Sequence, residues 1–314
     1  MVSLALLLES QEGLTWPSLF AAAGAADDLG FDGLYLSDHF GSVEITSERE
    51  VMPAWTAVAV LAARMHSLRL GPLVSPMTFR HPVDLCKQAI ALDLLTGGRI
   101  DVGIGAGWHR DEHTRFGLPF PEPGVRVRML AEGLEVFTRL WTESDVSWSG
   151  EFYSLDSATV MPRPLTHCPP IILGGDGPRM LGLAAEFAQE WNCLYKNLGE
   201  FSVLMDSVDE ACVRTGRDPK RLARSVMTPL LIARTEAEAE KRIAAHRHVF
   251  GGLPASLAEW RAAGFIGGIV PEVQEQLAAW GEIGLSRVIF EHNEIDDRES
   301  LELLAEIFLE SAES

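Results

Sequence analysis

The side chains best suited to moving protons stand at Ser37-Asp38-His39-Phe40, directly after an apolar run. Histidine titrates near neutral pH and can hydrogen-bond a polar ring, so His39 is the first candidate for acid–base work. A helix cap or a loop satisfied by an Asp-His pair is the other reading of the same residues. A second constellation, Gly174-Gly175-Asp176-Gly177-Pro178-Arg179, joins an apolar run to a helical pattern. Its glycines let backbone N–H groups converge on an anion, the helix N-terminus adds positive potential, and Arg179 supplies a charge. A plain tight turn would need one glycine; this pattern points to phosphate.

Two other motifs are weaker. Gly103-Ile104-Gly105-Ala106-Gly107 lacks the G-x-G-x-x-G spacing, and Glu122, fifteen residues past Gly107, falls short of a ribose-binding acidic position. Close approach of the backbone to a flat ligand is what such glycines allow. His109-Arg110-Asp111-Glu112-His113 has the H-x-x-E-H order of inverted zinc peptidases, where two histidines share a metal on one helix face. Trp108 and the glycines before it favour a loop, and no downstream acidic ligand follows. These residues therefore read as solvated polar groups at a loop rim, with no metal. The remaining histidines (His66, His81, His167, His246, His248, His292) are scattered and read as surface or satisfied positions.

All four motifs fall where an apolar strand gives way to a loop, so the elements between them matter. Val2–Leu8, Phe31–Ser37, Leu68–Val74, Ile100–Ile104, Ile171–Leu173, Glu190–Leu194, Arg224–Ala233 and Ser286–Phe290 read as strands. Helical patterns follow most of them, opened by prolines such as Pro17 and Pro178 and closed by glycines such as Gly30 and Gly97. Thr142–Pro170 breaks the rhythm with a hairpin around Ser149-Gly150, and Thr235–Ala263 is a charged, largely helical surface excursion. The pattern predicts an α/β protein: a (β/α)8 TIM-type barrel, one domain over residues 1–314, with short excursions after helix 4 and strand 7. A doubly wound open sheet is the alternative. In a barrel, function sits at the C-terminal strand ends, where these motifs lie.

Of 314 residues, 47% are hydrophobic and 23% charged, the usage of a globular chain. Acidic residues number 45 against 26 basic, a net charge of −19. That surface repels nucleic acid and anionic lipid, which leaves a small molecule as the expected partner. Cys86, Cys168, Cys193 and Cys212 form no C-x-x-C pair and read as reduced structural thiols of a cytoplasmic protein. The first residues lack a basic n-region and a cleavage site, so no signal peptide is expected. Apolar stretches stop near ten residues, too short to span a bilayer.

Several ordered segments resemble the bacterial luciferase-like superfamily: Gly30–Phe40, Gly71–Pro82, Leu92–Arg99, Gly103–Trp108, Pro170–Gly175 and Gly284–Glu291. Within it the chain is most similar to oxidoreductases dependent on coenzyme F420, a 5-deazaflavin. The resemblance implies hydride transfer between F420 and a small organic substrate, with an FMN-dependent monooxygenase as the alternative. By that similarity Asp38 contacts the ring side of the cofactor, and His39 hydrogen-bonds the ring or donates a proton. Ala106, Gly107 and Asp111 lie along the cofactor. Gly174 and Gly175 form the turn before Asp176, Gly177, Arg179 and Met180, which hold its phosphate. A non-proline cis peptide maps to Leu73–Val74, and Leu73-Val74-Ser75 forms the bulge backing the ring. Phe79 and Trp108 wall an apolar substrate slot. Members are often dimers, which makes a homodimer compatible. Two positions depart from the pattern. Trp108 stands where the sugar-phosphate dehydrogenase branch has an acid, and Gln189 stands where the family often has Asp. A non-catalytic flavin-binding or storage protein and a zinc hydrolase are the remaining readings.

Overall fold

The computed structural model describes residues 2–44, 48–164 and 168–313, with 308–313 described by backbone alone. His167 therefore lies outside the described residues.

The chain opens with β1 (Ser3–Leu8), α1 (Trp16–Asp28), β2 (Gly33–Leu36), α2 (Ala54–Ala62), β3 (Arg69–Pro72), β4 (Ser75–Pro76) and α3 (Pro82–Thr96). Then come β5 (Val102–Gly105), α4 (Arg110–Arg115), α5 (Pro123–Thr142) and a hairpin of β6 (Val146–Ser149) and β7 (Ser154–Ala158). Next are β8 (Ile171–Gly174), α6 (Pro178–Phe187), β9 (Glu190–Leu194), α7 (Leu198–Arg214), β10 (Ala223–Pro229) and β11 (Ile232–Ala233). The last elements are α8 (Glu236–Val249), α9 (Leu257–Ala263), β12 (Gly268–Ile269), α10 (Val270–Glu282), β13 (Arg287–Glu291) and α11 (Arg298–Glu313). Local chemistry sets many of these ends. Thr15 and Ser18 form a reciprocal cap at α1, as do Asn197 and Glu200 at α7. Gly97 ends α3 in the left-handed region at φ 69°.

The main sheet runs β3-β2-β1-β13-β10-β9-β8-β5-β4 with parallel pairing throughout. A further parallel bridge, Leu70 to Ile100, joins β3 to the approach of β5 and closes the ring. The open-sheet alternative is thereby excluded. Pairing in register splits alternate residues between two environments. Ala5, Leu7, Tyr35, Leu73, Ile172, Met227 and Ile289 pack inside the barrel. Leu4, Leu6 and Leu8 pack outward under the helices. At the N-terminal end of the strands the interior is polar: the Tyr35 hydroxyl donates to Asp101 at 2.7 Å, and Arg69 and Arg287 pair with Asp101. Burial, with Asp101 beside it, holds the Tyr35 hydroxyl well above its ordinary pKa.

The third strand breaks as the resemblance implies, with the cis peptide Leu73–Val74 between β3 and β4. Another strand differs from expectation. The seventh does not run through to Ala233; β10 ends at Pro229, the Leu230 N–H turns to the Glu291 carbonyl, and β11 pairs with β12 in a small separate sheet. The excursion after it is helical, as expected, and packs one face inward: Ala239, Ile243, Leu257 and Trp260 bury a cluster with Leu231 and Ala233.

Candidate active site

The glycines of β5 are explained first by the strand beside them. A Cβ on Gly103 would stand 2.3 Å from the Pro72 carbonyl oxygen, and one on Gly105 would stand 2.7 Å from Val74 Cγ2. Gly107, at φ +78°, would meet Thr78 Oγ1 at 2.6 Å. The close approach that these glycines allow is therefore to the Leu73-Val74 bulge and the segment after it. Ala106 is left half-buried between Gly105 and Gly107.

His39 follows β2 and meets α4 from across the barrel mouth. Its Nδ1 donates to Glu112 Oε2 at 2.9 Å, and the other carboxylate oxygen accepts the Phe40 N–H at 2.5 Å. Burial alone would lower the His39 pKa. The Glu112 hydrogen bond and charge, with Glu9 and Asp38 further off, raise it above the ordinary 6.5. Burial pushes Glu112 the other way, but His39 and the Phe40 N–H hold its carboxyl below its usual range. His109 Nδ1 stands 3.8 Å from the same carboxylate without a hydrogen-bond partner.

This corrects the reading of residues 109–113 as a solvated rim. Residues 110–115 form the short helix α4, and Glu112 is only 2% exposed. His113 is buried too, its Nδ1 donating to the His109 carbonyl at 2.7 Å and its Nε2 accepting from Thr78 Oγ1 at 2.8 Å. With both ring nitrogens engaged, His113 serves packing rather than ligation. Asp111 is exposed on the first turn of α4.

Asp38 is only 3% exposed, and its carboxylate is fully engaged. Arg80 donates Nε and Nη2 to its two oxygens at 3.0 and 2.7 Å, and Ser75 Oγ donates at 2.7 Å. Ser75 Oγ in turn accepts from Trp55 Nε1 at 2.8 Å. Asp38 and Ser75 thus fix the base of the His39 loop against β4. Arg80 carried no sequence signal of this role.

An aromatic wall flanks the histidine. Phe40 packs on Phe79 and Phe116 at centroid distances of 4.7 and 5.6 Å, and Trp108 meets His39 edge-on at 6.0 Å. Trp108 is 65% exposed, a large apolar surface at the mouth.

The glycine turn after β8 faces an open groove of about 340 Å³ between the N-termini of α5 and α6. Pro123, Gly124 and Val127 line one side, and Gly177, Pro178, Arg179 and Met180 the other. Neither helix has a side-chain cap; Pro123 and Pro178 carry no N–H and the Val125 N–H donates to the Glu122 carbonyl, which leaves the N–H groups of Gly124, Arg179 and Met180 for an anion. A Cβ on Gly174 or Gly177 would meet nothing within 4 Å, so neighbouring atoms do not demand glycine there. Trp191 Nε1 pins the turn by donating to the Gly175 carbonyl at 2.8 Å, and Gly175 itself packs on Met180. Asp176 is paired with Lys196 at 2.8 Å, which lowers its pKa. Gln189 lies at the opposite end of the barrel, where its Oε1 accepts the Ile171 N–H at 2.8 Å.

Residues 5–291 match the family of luciferase-like monooxygenases. An F420-dependent glucose-6-phosphate dehydrogenase of Kineococcus radiotolerans is 30% identical over 217 residues, covering 68% of this chain and 64% of that enzyme. The chain accordingly spans less than two thirds of the curated relatives it matches. An F420-dependent secondary alcohol dehydrogenase, solved with an F420-acetone adduct, superposes with a TM-score of 0.84 at 16% identity over 98% of both chains. The oxygenating constituent of 3,6-diketocamphane monooxygenase from Pseudomonas putida, solved with FMN, gives 0.78 at 18% identity over 97% of both chains. At these identities the structural likeness is one of fold. Among the described residues no helix is long and apolar enough to cross a membrane.

Proposed function

Because the chain belongs to the luciferase-like monooxygenase family, we propose that it is an oxidoreductase that binds coenzyme F420 across the C-terminal mouth of the barrel and exchanges a hydride with a small organic substrate. The observation that carries this reading is the groove between two uncapped helix N-termini, with Arg179 on its rim and open space beside Gly174 and Gly177. Such a groove fits the phosphate of a cofactor whose ring extends toward the Leu73-Val74 bulge, Ala106 and Gly107. When bound, a 5-deazaflavin supplies two-electron hydride chemistry.

The protein's own residues do the rest. Arg179, Gly177 and Met180 bind, while Asp176 acts through Lys196 rather than on the phosphate directly. Ser75 and Asp38 hold the loop that carries His39. His39, kept protonated toward neutral pH by Glu112, donates a hydrogen bond or a proton toward the ring. Phe79 and Trp108 exclude water on the substrate side. Asp111, on the exposed first turn of α4, borders the cofactor from outside.

An FMN-dependent monooxygenase is the second reading, favoured by the same groove, which takes the phosphate of either cofactor. Arg179→Ala removes a cation at the rim, and Gly177→Val fills the open space. Both variants are expected to weaken F420 binding with unfolding unchanged. Wild-type affinity in both would remove the phosphate assignment.

A further inference from the structure

Two imidazoles face the Glu112 carboxylate. Its Oε2 accepts from His39 Nδ1 at 2.9 Å, and His109 Nδ1 stands 3.8 Å from the same atom. His39 follows β2, whereas His109 is the N-cap residue of α4, three residues before Glu112. The His109 ring makes no cap hydrogen bond, and its backbone carbonyl is held by His113 Nδ1 at 2.7 Å. Trp108 packs against both rings, at centroid distances of 6.0 Å from His39 and 5.0 Å from His109. The two imidazoles stand edge to face at 6.4 Å.

His109 Nδ1 is buried without a partner. Facing a carboxylate, that nitrogen carries the proton of the neutral ring, because a lone pair there would meet like charge. His109 Nε2 and His39 Nε2 have no protein partner and are not buried, so both reach solvent at the mouth. A single carboxylate cannot hold two imidazolium ions equally well. Glu112 is 2% exposed and needs one cation beside it, while a second at this distance repels the first. The rings are accordingly unlike. Burial lowers the pKa of both; at His39 the Glu112 hydrogen bond outweighs it, and at His109, with only the longer contact, it does not. Glu9 and Asp38 also act on His39, and Asp111 and Arg115 on His109, with Asp38 itself held by Arg80. Among the described residues no three His, Cys, Asp or Glu side chains are placed to hold a metal ion, so what the rings and the carboxylate share is a proton.

We propose that His109 is a positioning residue for His39: the two imidazoles share one proton's worth of charge through Glu112, and His109 takes over the carboxylate when His39 gives its proton up. What His39 does toward the ring rests on the cofactor reading above; the sharing of Glu112 does not. When the His39 Nε2–H bond breaks, the ring keeps its Nδ1–H and becomes neutral, so the buried Glu112 has lost its cation. His109 Nδ1 then closes from 3.8 Å, and its accessible Nε2 takes a proton from solvent. The carboxylate again faces one imidazolium, and the charge of the site is unchanged. In reverse, His39 gains a proton at Nε2 and His109 releases one to solvent. His39 is therefore an acid while His109 is neutral and a base while His109 is charged.

The test is a pH titration of the cofactor-free full chain with nitrogen-15-labelled histidine, followed by long-range proton–nitrogen NMR. In wild type His39 is expected to titrate above 6.5 and His109 below it, with a second, smaller inflection in the His39 signals where His109 titrates. In His39→Ala the His109 pKa should rise above 6.5, with its Nδ1 proton moving downfield, as the ring inherits Glu112. Adding Glu112→Gln to that variant should abolish the rise. In His109→Gln the second inflection at His39 should vanish. A His109 pKa unmoved in His39→Ala, a rise that survives Glu112→Gln, or a second inflection that persists in His109→Gln would each overturn the shared carboxylate. F420 added to wild type should displace the His39 Nε2 signal on saturable binding. Failure of F420 to bind would instead sink the cofactor reading, while the cofactor-free titrations still decide the role of His109.

Discussion

Glu112 makes His39 a stronger base than a free imidazole, because ring and carboxylate meet in a site that little water reaches. The sign of the effect on activity follows. The protonated ring is the donor, so turnover falls as pH rises through the His39 pKa, which lies above 6.5. Glu112→Gln removes the charge that raises it, and the alkaline limb of the rate profile is expected to move to lower pH. His39→Ala should cost about 10²–10⁴-fold in turnover with cofactor affinity nearly kept. An unmoved limb in Glu112→Gln, or near-wild-type turnover in His39→Ala, would contradict this pairing. His39 was legible in the sequence because a histidine directly after an apolar strand lands at a barrel mouth. Glu112 was not, since its partner is 73 residues away and its own neighbours spell a metal motif. Asp38 was legible by position, while its pairing with Arg80 was not, because nothing local announces Arg80.

Elements position these groups, and one packed interface carries its own pH dependence. His246 on α8 and His292 after β13 are both buried and each has a ring nitrogen without a hydrogen-bond partner, against the expectation of surface or satisfied positions. Burial lowers both pKa values to about 4, with Asp297 opposing and Arg242 or the other histidine reinforcing. The folded chain therefore keeps them neutral, while the unfolded chain protonates them below about 6.5. Stability is expected to fall as pH drops from about 6.5 toward 4, by on the order of 3 kcal/mol for each histidine at the lower end. Thermal unfolding across that interval measures it, and a His246→Gln, His292→Gln double variant should flatten the slope; an equally steep slope would show that other groups carry it. Most strand and helix bounds were readable from apolar runs, prolines and glycines. α4 was missed because six mainly polar residues give no periodicity. The break in the third strand was read from resemblance rather than from the residues. The break after Pro229 depends on a hydrogen bond to Glu291, which only the closed barrel supplies.

At the scale of the whole molecule, parallel closure brings the C-terminal ends of the main sheet's strands to one face. His39, the bulge at Val74, the glycine turn at Gly174 and Glu291 come from strands far apart in sequence, yet share that face. The repeating strand–helix rhythm made this architecture legible, and it needed no single motif. The chain as a whole carries a net charge of −19, so an anionic cofactor is drawn in only where Arg179 and two helix N-termini concentrate positive potential. The most direct test of the central claim is a fluorescence titration of the cofactor-free protein with F420 and, separately, with FMN under identical conditions. Saturable F420 binding that is tighter than FMN binding is the predicted result. Tight FMN binding with no detectable F420 binding would contradict it.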